Sequence, residues 1–424
     1  MKRFILIAVL LALLSACGGL SPTIPTPTGE SLPTATATLP PTTVSTPAPP
    51  GPVILRLWLP PELDPASGTK AGRILQSRLD EFASRRPDAR IEVRTKAVEG
   101  PGGLVDSLTT ASAAAPLSLP DLVALPRPEL EAAALKGLLR PFDGLIKPID
   151  ETDWYEYARQ MAHLQNSTFG VPFAGDALVM VYRPLANPEP PSTFSETLSV
   201  PGPLIFPAAD PQALFTLAQY QASGGEILNE QGRPSLQSQP LNQVLKYYQQ
   251  GVTRGQIPAG ITQYQDDEQS WQAFNTSGAP MVITWFSRYL KSMLSDTAGA
   301  PIPTPEGKPY TLATGWVWAM ASPDPEHEKL SAELAEFLSE GDFLARWTSA
   351  LGYLPPRASA LQGWNNPTLR TLANEVVTAA QLLPSEDVLT SISPPIEQAT
   401  IQILKQESDP ATAAQTAVEK LAAP

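Results

Sequence analysis

Trp316 and Trp318 stand one residue apart in TLATGWVWAM, residues 311–320, directly after Gly315. In a strand the two point to the same side, because side chains alternate faces with period two. An indole on one face of a sheet is either core or a platform on which a ligand stacks. Trp58 raises the same choice. It closes the apolar run VILRLWL (53–59), and ligands of parallel α/β sheets gather beyond the carboxyl ends of the strands. Arrangements that do catalysis are missing from the sequence. His163 and His327 lie far apart and neither falls in H-E-x-x-H, which argues against zinc; there is no G-x-S-x-G, P-loop or G-x-G-x-x-G. The three acids of QDDEQ (265–269) read as a helix start or solvated helix face, since no spaced Asp/Asn series follows to ligate a cation. No segment singles out a carboxylate pair for glycoside hydrolysis. The chain therefore reads as a non-enzyme with no catalytic residues, no cofactor and no metal.

The N-terminus constrains where such a protein works. In MKRFILIAVLLALLSACGG, Lys2 and Arg3 precede the apolar run Phe4 to Leu14, which is too short to span a bilayer roughly 30 Å thick. This is the pattern of an export signal. Its end, LSAC (14–17), resembles a bacterial lipobox, in which cleavage precedes a cysteine that then carries lipid. Cys17 is the only cysteine of the chain, so no intramolecular disulfide can form. Firm anchoring needs more than one acyl chain, which the lipobox pathway implies. Residues 18–52 are mostly Pro, Thr, Ser, Ala and Gly with Glu30 as the only charge. A segment of that composition cannot bury enough apolar surface to offset ordering and reads as a stalk. At about 3 Å per residue its reach is on the order of 100 Å.

From Val53 onward about 370 residues remain, enough for two lobes or domains. Loss of Lys2 and Arg3 with the signal leaves 27 basic against 42 acidic residues, a net charge of −15. An acidic body of this kind argues against nucleic acid as a partner. No later apolar run approaches 18 residues. VILRLWL is followed by a helical pattern over 71–85, then by the alternating ARIEVRTKAV (89–98) and the short apolar DLVAL (121–125). ELEAAALKGLL is helical up to Gly137. TFGVPFAGDALVMVYR (168–183) reads as paired strands, and APMVITWF (279–286) as a strand. Helical patterns cover PQALFTLAQYQASGG, LNQVLKYYQQGVTRG, SWQAFNTSG, EKLSAELAEFLSEGDFLARWTSALG and the stretches from about 368 onward. Strands alternating with helices indicate βα units and a parallel sheet.

Several segments in order carry a family resemblance. These are VILRLWLPP, RLDEFASRRPDARIEVR, LPDLVALPRPELEAAALKGLLRPFDGLI, FGVPFAGDALVMVYRPL, YQASGGEILNEQGRPSLQSQP, AFNTSGAPMVITWF, TGWVWAMASPDPEHEKLSAELAEFL and GYLPPR. Together they resemble the extracellular solute-binding proteins that include maltose-binding protein, over essentially all of 53–424. The resemblance implies an α/β fold of the two-lobe periplasmic-binding-protein type (type II), with mixed, mainly parallel sheets and a ligand cleft between lobes. Lobe 1 would comprise 53–174 plus 316–356, and lobe 2 would comprise 175–315 plus 357–424. Residues 1–16 would be the signal peptide and 17–52 the lipidated cysteine and stalk.

The resemblance also implies the site. Trp285 takes the family's stacking tryptophan position, although the usual preceding proline is replaced by Thr284, and Trp316 takes the position after the crossover glycine. Trp318 then falls among residues inside the lobe. Asp176 matches the crossover acid, its alternative being a turn former beside Gly175. Arg288 can fork onto hydroxyls or a carboxylate, or stand as a solvated helix-start residue. Tyr353 borders the last cleft loop, Arg357 reads as structural, and Trp58 completes the set. The implied function is capture of a solute, a carbohydrate by class, through hinge closure and delivery to ABC permease subunits. The protein would be a monomer, lipid-anchored on the extracytoplasmic face of the cell membrane. A lipid-anchored receptor feeding a sensor kinase and a cell-surface glycoside-active enzyme are the alternatives.

Overall fold

The structure is a computed structural model that describes residues 51–422 apart from 148, 150 and 151. The signal, Cys17 and stalk expectations lie outside the described residues.

The described chain is organised on one nine-stranded mixed sheet. Strand β1 (Val53–Leu59) pairs in parallel with β2 (Ala89–Thr95) and β3 (Leu122–Pro126). β4 (Val171–Tyr182) is followed by the short β5 (Leu204–Ile205), then β6 (Met281–Trp285), β7 (Ala298–Ala300), β8 (Thr311–Met320) and β9 (Ala380–Leu382). The spatial order is β2-β1-β3-β8-β4-β6-β5, with β9 beside β8 and β7 beside β4. β5 and β6 are parallel, whereas β8 runs antiparallel to both β3 and β4, and β4 antiparallel to β6. Parallel pairs at each flank are thus joined through two long antiparallel strands in the middle.

Composition explains which strands are central. All twelve residues of β4 are buried, and its sequence VPFAGDALVMVY carries one charge. A strand covered on both faces reads as a continuous apolar run, as this one does. β2 lies at the sheet edge, and its charged residues alternate toward solvent. The stretch 168–183, expected as paired strands, is a short strand Ser167–Thr168 and then the single strand β4. Nothing inside 171–182 can make a tight reversal, since Gly175 is held in ladder pairing rather than in a turn.

The helices begin where polar caps permit. Helix α1 (Lys70–Arg85) starts at Thr69, whose hydroxyl accepts from the Gly72 N–H at 3.0 Å. α2 (Leu104–Ala114), α3 (Arg127–Leu135) and α4 (Glu156–Ala162) complete the first half. α5 (Leu214–Ala222), α6 (Ser238–Thr253), α7 (Asp267–Ser277) and α8 (Phe286–Ser292) belong to the second. The three acids at 266–268 are the start of α7: Asp266 caps it by accepting from the Gln269 N–H at 2.8 Å. The run from 328 to 352 resolves into α9 (Pro325–Phe337) and α10 (Gly341–Leu351). α11 (Pro367–Ala379), α12 (Glu386–Leu404) and α13 (Pro410–Ala422) close the chain. No helix among the described residues is long and apolar enough to cross a membrane.

Candidate solute-binding site

The site is organised by three chain segments that meet at one residue. Gly175 in β4 faces Gly315 in β8 across the ladder, and on its other edge it exchanges two backbone hydrogen bonds with Leu354, at 2.7 and 2.8 Å. Beyond this point β6 takes over that second edge, from the Leu178–Trp285 pair onward. Neither glycine could carry a side chain here. A Cβ on Gly315 would collide with the Ala174 carbonyl oxygen and lie 3.0 Å from the Gly175 Cα, and one on Gly175 would collide with the Tyr157 hydroxyl. Fully buried Tyr157 in turn donates to the Pro355 carbonyl at 3.3 Å, tying α4 to the third segment.

Around this junction lie three of the expected site residues. Asp176 follows Gly175 and is 8 % exposed. Its carboxylate accepts from the Ala177 N–H at 3.0 Å, the Ser287 N–H at 2.9 Å and the Ser287 hydroxyl. It therefore pins the first turn of α8 to the crossover strand. Burial pushes its carboxyl up to about 7, against the opposing pull of the Ser287 and Ala177 hydrogen bonds and of Lys291. Trp316, which follows Gly315, and Tyr353, which precedes Leu354, are both nearly buried. The Tyr353 hydroxyl lies 3.4 Å from Glu62 Oε2. Burial pushes the Tyr353 phenol well above its usual range; the Glu62 and Asp176 carboxylates push the same way, and hydrogen bonding from Trp316 opposes them.

The two indoles of TLATGWVWAM have different surroundings. Trp318 is fully buried, its ring 4.3 Å from Phe173 and 6.0 Å from Trp347 and nearly parallel to the latter. Trp316 pairs in register with Pro126 on one side and Ala174 on the other, where the β3 strand ends and β4 enters the junction. A register shift between Trp316 and Val317 leaves Phe173 as the extra residue on β4, and that residue completes the stack on Trp318.

Trp58 lies at the carboxyl end of β1 and is 3 % exposed, with the Lys96 ammonium 4.5 Å from its ring centre. Its indole N–H is buried without a hydrogen-bond partner. Trp285 is half-buried, ends β6 and occupies the cap position of α8. It lines a recess of about 270 Å³ with Leu178, Phe215, Asp210, Asp266 and Asp267. Arg288, one turn into α8, is ion-paired to Asp267 and Glu268 of α7. Those two carboxylates hold its pKa above the ordinary guanidinium value despite the cost of burial. Arg357 pairs with Asp153 and lies over Trp154, 4.6 Å from its centre.

Three polar residues at the site had no place among the expected ones. Glu62 stands three residues past β1 and Lys96 directly follows β2, and position at the carboxyl edge of parallel strands could have flagged both. Lys291 ends α8, with its ammonium 4.1 Å from the centre of the Tyr353 ring. Gly352, at φ +73° past the end of α10, makes room for it: a Cβ there would lie 2.8 Å from Lys291 Cγ. No local sequence signal announces that contact.

A mixed sheet shared by two halves, joined through three converging segments and bearing aromatic residues at the junction, is the architecture of the two-lobe periplasmic binding proteins. The chain belongs to the bacterial extracellular solute-binding protein family, whose model matches residues 77–372. This is a family of binding proteins, not of enzymes, and its place is outside the cytoplasm. Over 351 residues the chain is 25% identical to the maltotriose-binding protein of Pyrococcus abyssi, covering 78% of this chain and 75% of that one. Among solved structures, the cyclic α-maltosyl-1,6-maltose binding protein of Arthrobacter globiformis superposes with a TM-score of 0.72 at 17% identity, over 88% of this chain and 98% of the other. The sugar-binding protein MalE of Xanthomonas citri gives 0.71 at 19% identity, over 87% and 98%. At such identities the likeness is one of fold.

Proposed function

We propose that the protein is the solute receptor of an ABC importer and that its solute is a carbohydrate. The observation that carries this reading is the placement of Trp316 and Tyr353 beside the Gly175–Gly315–Leu354 junction. A sugar ring offers an apolar CH face to aromatic rings and a belt of hydroxyls to polar groups. Trp316, Tyr353, Trp58 and Trp285 supply the first, and Glu62, Asp176 and backbone groups of the junction the second. The sugars bound by the relatives support the same class. In this reading lobe 1 is 53–174 plus 316–356 and lobe 2 is 175–315 plus 357–424, so that each boundary falls within three residues of the junction. Solute binds between the lobes and favours the closed arrangement, which the permease subunits engage. Lipid on Cys17 and the stalk 18–52 hold the monomeric receptor at the extracytoplasmic face.

A thermal-shift screen of the purified chain against sugars, peptides, amines and phosphate esters tests the solute class. A ligand present at 100-fold over its Kd stabilises by about 2.7 kcal/mol. A shift with a saccharide is expected; a shift with a peptide or phosphate ester and with no saccharide overturns the assignment. Cys17→Ser is expected to move the protein from the membrane to the soluble fraction, and retention in the membrane removes the lipid anchor from the account.

A further inference from the structure

Among the described residues, two lysine ammonium groups lie over aromatic rings, and both rings belong to the candidate site: Lys96 over Trp58 at 4.5 Å and Lys291 over Tyr353 at 4.1 Å. The other cation–aromatic contacts are made by arginines. An ammonium over an aromatic face is held by the ring's quadrupole, more strongly when water is excluded. Neither lysine has a carboxylate within ion-pair distance among the described residues, so each ammonium rests on an aromatic face, with the Asp176 carboxyl acting on Lys291 from further off.

The surroundings reinforce the preference for positive charge. From the turn after β1, Glu62 accepts from the Tyr353 hydroxyl and is in no ion pair among the described residues. Burial raises the pKa of the same phenol, and the Glu62 and Asp176 carboxylates both push it further up. At the same strand edge, burial and the neighbouring Glu99 carboxylate raise the pKa of Glu129 in the first turn of α3, with Lys136 opposing. The protein's own lysines thus rest on the aromatic faces at this end of the site, where Glu62 meets the Tyr353 hydroxyl.

We propose that the solute is an amino sugar, whose ammonium group takes the place of Lys291 over Tyr353, the ring whose hydroxyl lies 3.4 Å from Glu62 Oε2. This rests on the carbohydrate reading and narrows it. The ring stacks on the aromatic surface that Trp316 and Tyr353 provide. Lys291 is long, unbranched and exposed at the end of α8, so it swings into solvent when a solute ammonium displaces it. The site of the free protein is then filled by a mimic of its ligand.

Calorimetry on the purified full chain tests this with four probes: the glucosamine trimer, the N-acetylglucosamine trimer, maltotriose and spermidine, at a pH where the sugar amines are protonated. The glucosamine trimer is expected to bind roughly tenfold or more tightly than either neutral trimer. Glu62→Gln should erase that preference, the amine losing roughly tenfold or more in affinity beyond the neutral sugars, whose hydroxyls the Gln amide can still bond. Lys291→Met, which retains most of the apolar stem, should tighten binding of the amine by removing its competitor. Melting curves of both variants establish that they are folded. Neutral trimers that bind as tightly as the amine, or an amine affinity that Glu62→Gln leaves unchanged, overturn the inference and leave the carbohydrate reading standing. Spermidine binding with no saccharide bound overturns both.

Discussion

Gly175 and Gly315 face one another across the β4–β8 ladder so closely that the Ala174 and Gly175 backbone fills the space a methyl group on Gly315 would need. Neither residue has a left-handed φ, so the requirement for glycine is one of close approach. The atoms that a Gly315 side chain would meet first, the Ala174 carbonyl oxygen and the Gly175 Cα, cannot rotate aside as a surface side chain would. Overpacking of this kind costs about 1–3 kcal/mol. Gly315→Ala is therefore expected to lower stability by about 2 kcal/mol, read as a reduced midpoint in urea at unchanged slope. Gly175→Ala should behave alike, because the Tyr157 ring in its way is fully buried. Unchanged midpoints in both variants would mean that the three segments do not converge as tightly as described.

The tryptophans of β8 should separate stability from binding. Trp318 is packed among Phe173, Trp347 and the strands of the sheet, so Trp318→Ala leaves a cavity and should cost about 3–5 kcal/mol. Saccharide affinity of the protein that remains folded should be unaltered. Trp316→Ala, at the junction, should weaken saccharide binding by roughly tenfold or more with the smaller loss of stability, since aromatic faces carry a large share of binding energy at such sites. Equal effects of the two substitutions on both readouts would return Trp316 to the core.

Arg288 should prove structural. Its guanidinium is already engaged by Asp267 and Glu268, which belong to the first turn of α7. Partly exposed pairs of this sort are worth roughly 1 kcal/mol or less. Arg288→Ala is expected to lower stability within that limit and to leave saccharide affinity within about twofold. A tenfold loss of affinity at unchanged stability would place Arg288 on the solute.

The element pattern was legible in the chain because it depends on local spacing. The apolar run of β1, the helix over 71–85 and the helix end before Gly137 follow from periodicity and glycine chemistry, and each stands within a residue or two of where the sequence puts it. The distinction between Trp316 and Trp318 was legible only by family resemblance, since alternation alone places both on one face. What stayed hidden was tertiary. The pairing of Gly175 with Leu354 joins residues far apart in the chain, and the register shift that brings Phe173 onto Trp318 depends on two strands at once. The expectation of paired strands over 168–183 erred for the same reason. Turn residues flank the stretch, but burial on both faces favours one continuous strand. Lys291 reaches Tyr353 from another helix, and only folding places that ammonium on that ring.

Asp176 gives the fold a pH dependence whose sign is fixed by its environment. Its carboxyl has an ordinary pKa of 3.8 when unfolded and one of about 7 in the buried site. Between those values the native state holds a proton that the unfolded chain has released. Stability from this group is therefore full below about pH 4 and declines as pH rises toward 7. A shift of that size corresponds to an upper bound of about 4 kcal/mol across the window. Asp176→Asn should flatten the decline. An amide oxygen still accepts from the Ser287 and Ala177 N–H groups, and the Ser287 hydroxyl can turn to accept from the amide nitrogen. Urea unfolding at half-unit steps from pH 4 to 7 is the measurement. The wild-type chain should lose stability more steeply than the variant, and parallel curves would mean that Asp176 remains ionised beside Ser287 throughout.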